Sequence, residues 1–435
     1  MPTAMRATSR KRSPIRRIVK QLALPAIVAN KVMRRASAPQ ATAKSNPLIS
    51  IELFTGAGGL ALATREAGFS HAALIERNHD ACETLRTNIA GRRMPDIHRW
   101  TVLETDVRDV AFRDFGKIEL IAGGPPCQPF SIAGKHRGTG DSRNMVPEFI
   151  RAVRELQPRA FILENVRGLT RPMFRAYFEH IVLQLSFPEI QRKPGEEVAS
   201  HLYRLKETQA GGSLQGLTYR VSFRVLNAAD FGVPQTRHRV FVVGFRSDVE
   251  CDWEFPEPTH SLEALINDQW ITGAYWERHG VRKPKTPASV AGRVRKLRRE
   301  GEPSTLPWRT IRDAVADLPE PRADRDVSGI SNHRLQLGAR SYHGHTGSPF
   351  DLPSKTLKAG DHGVPGGENA IRFPDGRMRY LTVREAARIQ TFPDQWEFRG
   401  VWSEAMRQLG NAVPVRLASV VAASVASRLS GDAQP

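Results

Sequence analysis

The sequence predicts an α/β fold: a parallel sheet covered by helices on both faces, with a small domain inserted late in the chain. Three observations predict it. From Pro47 onward, short apolar runs alternate with helical patterns, as strand–helix–strand units require. The early apolar runs end in loops that carry glycines or acids, which is where parallel sheets place their chemistry. Residues 246–350 break this texture, with many Pro, Gly and Trp and weak periodicity.

The elements follow in order. Leu48-Ile49-Ser50-Ile51-Glu52-Leu53-Phe54 reads as a buried strand and Thr55-Gly56-Ala57-Gly58-Gly59 as a tight turn. Leu60 to Ala67 reads as a helix stopped by Gly68, His71 to Ile75 as a second strand and Asp80 to Ile89 as a second helix. Ile118 to Ala122 and Ala160 to Leu163 are further short apolar runs, each followed by a loop. Tyr219 to Leu226 alternates at period two and Val240 to Gly244 follows, the pattern of late strands, parallel or antiparallel, of the same sheet. Val383 to Gln390 and Ser403 to Leu409 read as helices, and Val415 to Leu429 as a closing amphipathic helix.

This divides the chain into four expected parts: a disordered basic tail over 1–46, a catalytic domain over 47–245, an inserted domain over 246–350, and a return segment over 351–430 that completes the catalytic domain.

Composition narrows the function. The chain has 435 residues, 40% apolar and 25% charged, and a net charge of +19. Such an excess suits a polyanionic partner. Residues 1–51 hold 11 Lys/Arg and no acid, leaving 53 basic against 45 acidic residues for the rest. The tail reads as a disordered arm, with the Arg-rich, acid-poor look of a transit peptide. In 246–350 the charges nearly cancel, 16 basic against 15 acidic, yet 278–299 holds nine Lys/Arg and no acid. That cluster reads either as a phosphate-contacting surface or as a solvated basic helix. Reading along the chain finds no apolar run of about 18 residues, so a membrane-spanning helix is not expected. The first 20 residues lack the apolar core of a secretory signal. Cys82, Cys127 and Cys251 are too few and wrongly spaced for a disulfide framework or a structural zinc site, so a reducing cytoplasmic setting and no metal are expected.

Four groups of residues carry candidate chemistry. Gly56, Gly58 and Gly59 let a ligand approach the backbone where a helix begins, although a lone glycine turn also serves packing. Glu76 closes the second strand about 20 residues later, where an acid can hold ribose hydroxyls. Asp106 is placed to close a third. Cys127 sits in Gly123-Gly124-Pro125-Pro126-Cys127-Gln128-Pro129-Phe130-Ser131, directly after a strand. A single cysteine is often just a small buried hydrophobe, but a rigid Gly/Pro loop with polar neighbours favours a nucleophile. Glu164, in Leu163-Glu164-Asn165-Val166, is a candidate acid with a raised pKa, or simply a helix N-terminal acid. Arg237 and Arg239 alternate on one face before another strand, as two fixed cations or as an exposed strand end.

Taken in order, Phe54-x-Gly56-x-Gly58-Gly59, the Pro-Pro-Cys loop, Glu164-Asn165-Val166, Gln235-x-Arg237-x-Arg239, Arg384-Glu385-Ala386-Ala387-Arg388 and Gly410-Asn411-Ala412-Val413-Pro414 resemble the DNA (cytosine-5)-methyltransferases of bacterial restriction-modification systems. The resemblance covers about residues 48–245 and 350–430. It implies a Rossmann-like S-adenosylmethionine-dependent methyltransferase sheet with an inserted small target-recognition domain over 246–350.

It implies that Phe54 stacks near adenine and that the Gly56–Leu60 turn holds the methionine end of S-adenosylmethionine. Glu76 would take the ribose hydroxyls and Asp106 the adenine amine, with Val107, Pro126, Asn411 and Val413 completing the pocket. Cys127 would add to C6 of a flipped cytosine and make C5 nucleophilic. Glu164 would bind N3 and the exocyclic amine, Arg239 would bind O2, and Arg237 would help place the loop or the base. The Pro125 carbonyl would accept from the amine, with Gln128, Ser131 and Arg143 in a loop that closes over the base. Thr356 would lie near a phosphate, and Arg384 and Glu385 would fix the domain junction. The implied partners are duplex DNA and a cognate restriction endonuclease, for a monomeric, nucleoid-associated enzyme.

A tRNA methyltransferase of the same fold and a catalytically silent DNA-binding relative are the competing readings. The large variable region favours DNA, and intact Cys127, Glu164 and Arg239 favour catalysis. A NAD-dependent dehydrogenase fits the glycine turn but has no use for Pro-Pro-Cys beside Glu-Asn-Val.

Overall fold

The structure, a computed structural model, describes residues 48–126, 144–212, 216–327, 329–340, 343, 346–359 and 369–431. The basic tail, Cys127, Gln128, Ser131 and Arg143 lie outside the described residues.

A seven-stranded sheet organises the chain. Its strands are β1 (Leu48–Leu53), β2 (Phe69–Glu76), β3 (Val102–Glu104), β4 (Leu120–Gly123), β5 (Ala160–Val166), β6 (Tyr219–Asn227) and β7 (His238–Arg246), in the order β3-β2-β1-β4-β5-β7-β6. β1 to β5 pair in parallel, and β7 runs antiparallel between β5 and β6. The late strands expected from period-two alternation are therefore antiparallel members of the same sheet. The strand order reverses at β1, between β2 and β4, so the crevice beyond the carboxyl ends of β1 and β4 is where an open α/β sheet binds ligands.

Residues of β1 face two cores in alternation. Ile51 and Leu53 join a cluster with α3 (Val146–Leu156) and α4 (Arg175–Ser186). The other face carries α1 (Gly59–Glu66), α10 (Val383–Ile389), α11 (Trp402–Asn411) and α12 (Val415–Ser430). Ser50 and His71 lie in the interior: Ser50 Oγ is 2.9 Å from His71 Nδ1, and His71 Nε2 is 3.0 Å from the Ala61 carbonyl. Helix α2 (His79–Ala90) begins at Asn78, whose side chain accepts from the Ala81 N–H.

The far end of the chain lies against its beginning. Gln408 accepts from Thr84 Oγ1 at 2.8 Å, and Asn88 is bonded to the backbone of Glu397 in both directions. Among the described residues, the segment Trp402–Ser430 is long and apolar enough to cross a membrane by length and composition alone. Its apolarity serves the core, because 67% of its most apolar window is buried, and Ala412–Pro414 break it into α11 and α12.

Two segments extend this frame. Between β5 and β6, α4 and α5 (Val198–Gly211) bury Leu183, Phe187 and Leu205 between them. After β7, residues 262–297 hold an apolar cluster of their own around Trp270, Tyr275 and Trp276, closed by Val294 and Leu297 of α8 (Ala288–Glu300). Ile311 and Val315 instead join the main core, so this late segment is anchored to the sheet layer.

Candidate active site

The turn after β1 is shaped by positive φ angles, +58° at Phe54, +54° at Gly56 and +92° at Gly58. Only glycine adopts such angles at little cost. Gly59 is needed for a different reason: a Cβ there would lie 2.5 Å from the Val413 carbonyl oxygen. The Gly410–Pro414 motif and the glycine turn are thus in direct backbone contact across the length of the chain.

Glu76 ends β2 beside this turn. Its carboxylate accepts from the backbone N–H of Gly56 at 2.8 Å, Arg77 at 2.9 Å and Asn78 at 2.7 Å. Asp106 follows β3 and caps the next turn through the Arg108 N–H at 3.0 Å. The Arg108 guanidinium at 2.7 Å and Arg77 at 3.3 Å hold its carboxyl far below the usual carboxylate range. Val107 and Leu60 are buried, Phe54 is half-buried, and Asn411 and Pro126 are exposed. The structure gathers Phe54, the glycines, Leu60, Glu76, Asp106, Val107 and Val413 around the carboxyl ends of β1 to β3 and the start of α1.

A second group lies beyond β4 and β5. Glu164 is 6% exposed, and its Oε1 is 2.9 Å from Nε of Arg239 on β7. Antiparallel pairing sets the distance, because β7 brings Arg239 opposite Val166 and Phe241 opposite Glu164. Burial pushes the Glu164 carboxyl above its usual value, while Arg239 and then Arg237 pull it back. Burial also lowers Arg239, offset by Glu164. The loop after β4 comes close: a Cβ on Gly124 would lie 3.0 Å from Glu164 Oε2. Asn165 Nδ2 donates to the Pro125 carbonyl at 3.1 Å, fixing the strand end that leads into Cys127.

Arg237 is tied to the return segment. Its side chain is fully buried, and its guanidinium donates to the carbonyls of Leu357 at 3.0 Å, Gly410 at 2.6 Å and Ala412 at 2.9 Å. Three hydrogen bonds thus go from Arg237 to the return segment, while its buried Nε–H has no partner among the described residues. Gln235 extends the junction, donating to Gln390 Oε1 and accepting from the Leu357 N–H, both at 2.9 Å. Thr356 donates to the Thr236 carbonyl at 2.8 Å and so ties the same two segments. Arg384 is buried, donating to the carbonyls of Ser331, Pro393 and Trp396. Glu385 receives Arg379 at 2.6 Å and closes a capping box with Thr382.

Sequence reasoning passed over two residues of this region. Glu52 is a buried carboxyl near the end of β1; burial pushes it well above its usual value, and one of its oxygens has no partner among the described residues. A lone acid inside an apolar strand is a readable signal. Trp396 is fully buried, and its Nε1–H donates to the Ala57 carbonyl within the turn.

With this geometry in place, the comparisons are direct. The family described as C-5 cytosine-specific DNA methylase matches residues 48–188 and 207–427. The Type II methyltransferase M.PspPI of Psychrobacter sp. (strain TA137) is 32% identical over 392 residues, covering 87% of this chain and 79% of that protein. M.NgoMIV of Neisseria gonorrhoeae is 31% identical over 392 residues, covering 88% of this chain and 98% of that protein. Among solved structures, the S. pombe Dnmt2 methyltransferase shares the fold, with a TM-score of 0.50 at 19% identity over 86% of this chain and 96% of that one. Matched along most of its length, and carrying the acid, the arginine and the glycine turn where this fold brings them together, the chain belongs to the C-5 cytosine-specific DNA methylases and methylates cytosine C5 in DNA.

Proposed function

We propose that the enzyme uses S-adenosylmethionine to methylate a cytosine flipped out of duplex DNA, through a covalent adduct on Cys127. The observation that carries this reading is the buried Glu164–Arg239 pair, 2.9 Å apart, beside the loop that ends two residues before Cys127. A buried acid with a raised pKa, next to a fixed cation, suits a polar heterocycle that gains a proton as it is attacked.

The residues around the glycine turn fit the cofactor. A Cβ on Gly56 would meet nothing within 4 Å, so the turn faces open space, and the Glu76 carboxylate stands at its edge. Gly56 to Leu60 would hold the methionine end, Phe54 the adenine ring, Glu76 the ribose and Asp106 the adenine amine. Pro126, Val107, Asn411 and Val413 would close the pocket. Bound there, the cofactor supplies the methyl group.

This chain's residues do the rest. The Cys127 thiolate adds to C6, and the ring electrons move toward C5. Glu164 delivers a proton at N3 and accepts from the exocyclic amine, while Arg239 binds O2. The Pro125 carbonyl, already taking one hydrogen bond from Asn165, retains a lone pair for the amine. After transfer, water takes the C5 proton, and the freed electron pair re-forms the C5–C6 double bond as the C6–S bond breaks. Cys127 is released as the thiolate, and N3 returns its proton to Glu164. Gln128, Ser131 and Arg143 are proposed to hold the extruded base. C5 is buried in a stacked duplex, so the base must leave the stack.

Residues 246–350 are proposed as the target-recognition domain. On α8, Val294 and Leu297 face the core, while Arg293, Arg295, Lys296, Arg298 and Arg299 are exposed, an arrangement suited to phosphate contacts. We further propose a monomer acting in the bacterial cytoplasm, paired with a restriction endonuclease of the same site.

Transfer of labelled methyl from S-adenosylmethionine to duplex DNA, with tRNA alongside, tests the reading. A duplex carrying 5-fluorocytosine at the target should trap the enzyme at Cys127, because fluorine does not leave as a proton does. Labelled tRNA with unlabelled DNA, or a trap that survives Cys127→Ser, would overturn it.

A further inference from the structure

We infer that Trp396 is a positioning residue for cofactor binding: its indole sets the shape of the glycine turn from behind. This inference rests on the cofactor site proposed above.

The turn contains a buried carbonyl that its own backbone leaves to an outside donor. Within it, the Gly58 N–H donates to the Thr55 carbonyl at 3.1 Å, and the Gly56 N–H to Glu76 at 2.8 Å. Ala57 is 1% exposed, and its carbonyl accepts from Trp396 Nε1 at 3.1 Å. The same ring supports the next residue, since a Cβ on Gly58 would fall 3.1 Å from Trp396 Cζ2 and 2.9 Å from Leu85 Cδ2. One side chain therefore fixes both the orientation of the Ala57–Gly58 peptide and the depth of the turn. A rotation of that peptide would break the Gly58 N–H bond to Thr55 and so reshape the turn that faces the ligand side.

Trp396 is itself held from several directions. Its ring lies 6.2 Å from that of Trp100 and 6.5 Å from that of Phe392. Its carbonyl accepts from Arg384 at 2.8 Å, and its N–H donates to the Pro393 carbonyl at 2.9 Å. Arg384 also donates to the Ser331 carbonyl at 3.1 Å, and its own N–H to the Asn332 carbonyl at 2.9 Å. Asn332 in turn exchanges hydrogen bonds with the backbone of Phe398. A continuous series thus runs from residues 331–332, through Arg384 and Trp396, to the turn. The arginine of the Arg-Glu-Ala-Ala-Arg motif and the glycines of the first turn belong to one device, although over 300 residues separate them.

Trp396→Phe removes the donor and keeps most of the ring. Isothermal titration with S-adenosylmethionine and S-adenosylhomocysteine should show binding about five- to tenfold weaker. The KM for the cofactor should rise in parallel, with kcat at saturation and the KM for DNA close to wild type. A merely structural role would lower the melting temperature without separating the two KM values. Should Trp396→Phe not fold, Arg384→Lys reads the same series one step back, with the indole still present, and should shift cofactor affinity in the same direction. Wild-type cofactor affinity in a folded Trp396→Phe, or in Arg384→Lys if only that variant folds, overturns the inference while leaving the cofactor site standing. If wild-type protein binds neither ligand, the cofactor site itself is wrong.

Discussion

Arg237 and Gly410, 173 positions apart, are joined by a 2.6 Å hydrogen bond from a guanidinium with no solvent exposure to a backbone carbonyl. The same guanidinium reaches Leu357 and Ala412, so one side chain just before β7 fastens two separate stretches of the return segment. Arg237→Met should lose these bonds and leave buried carbonyls without donors, at about 1–3 kcal/mol for each group left unsatisfied. Denaturant unfolding should show the loss, and methyl transfer should fall because the contact of Val413 with Gly59 is no longer held. Arg237→Lys with wild-type stability but collapsed kcat would instead return this residue to the chemistry.

That distinction marks where the sequence stops being legible. Gly56, Gly58, Gly59, Glu76 and Glu164 can be placed from local pattern alone, because each sits where an apolar run ends. Arg237 and Arg239 share a face and a residue type. What separates them is a carboxylate across one strand pair and a set of carbonyls 120 to 175 positions away. No local pattern encodes such partners. Trp396 is hidden for the same reason. Helices α4 and α5, by contrast, give no clear sequence signal, because their mixed polarity blurs the period between Val166 and Tyr219. Cys127, outside the described residues, is legible from its motif alone.

Two glycines of the turn should fail in different ways. Gly59 has an ordinary φ but almost no room, so Gly59→Ala drives a methyl group into the Val413 carbonyl oxygen at 2.5 Å, and backbone cannot easily move aside. Gly56 has open space but φ +54°, so Gly56→Ala meets only backbone strain, of about 1–2 kcal/mol. Thermal melts should therefore show Gly59→Ala as the more damaging of the two for stability. Gly56→Ala should remain folded and bind S-adenosylmethionine more weakly, since its methyl group projects into the space assigned to the ligand. The reverse order of stabilities would refute this view of the turn.

His71 should make the fold sensitive to mild acid. Its Nε2 faces a carbonyl, so it carries the proton, and Nδ1 is left to accept from the Ser50 hydroxyl. Both nitrogens are thus matched to the neutral ring, and burial pushes the His71 pKa down to about 4 from 6.5. A histidine depressed in this way contributes fully above its unfolded value and loses that contribution as pH falls from 6.5 toward 4. A shift of this size corresponds to roughly 3 kcal/mol across the window. His180, similarly lowered to about 4, should add to the slope. His71→Gln should be less stable than wild type at pH 7.5, yet show a shallower decline in unfolding free energy between pH 6.5 and 4. Parallel declines would mean that His71 does not titrate in this range.

The Glu164–Arg239 pair can be tested for whether it does chemistry or only holds β5 to β7. Glu164 is buried and Arg239 nearly so, and removing either leaves a charge largely uncompensated, at about 3–5 kcal/mol for a fully buried pair. Glu164→Gln and Arg239→Gln should each destabilise the protein and suppress methyl transfer. In the double variant neither charge remains, and two amides of similar shape can bond to each other. Stability should then recover by about 1–3 kcal/mol relative to the sum of the single losses. Activity should not recover with it. A neutral pair can neither deliver a proton to N3 nor meet the charge developing on the ring, and loss of a positioned acid costs about 100-fold or more in rate. Unfolding free energies and single-turnover methylation at saturating DNA and cofactor, measured on all four proteins, separate the outcomes. A double variant that regains both stability and methyl transfer would make the pair a structural bolt, and the acid that serves the base would have to be sought elsewhere.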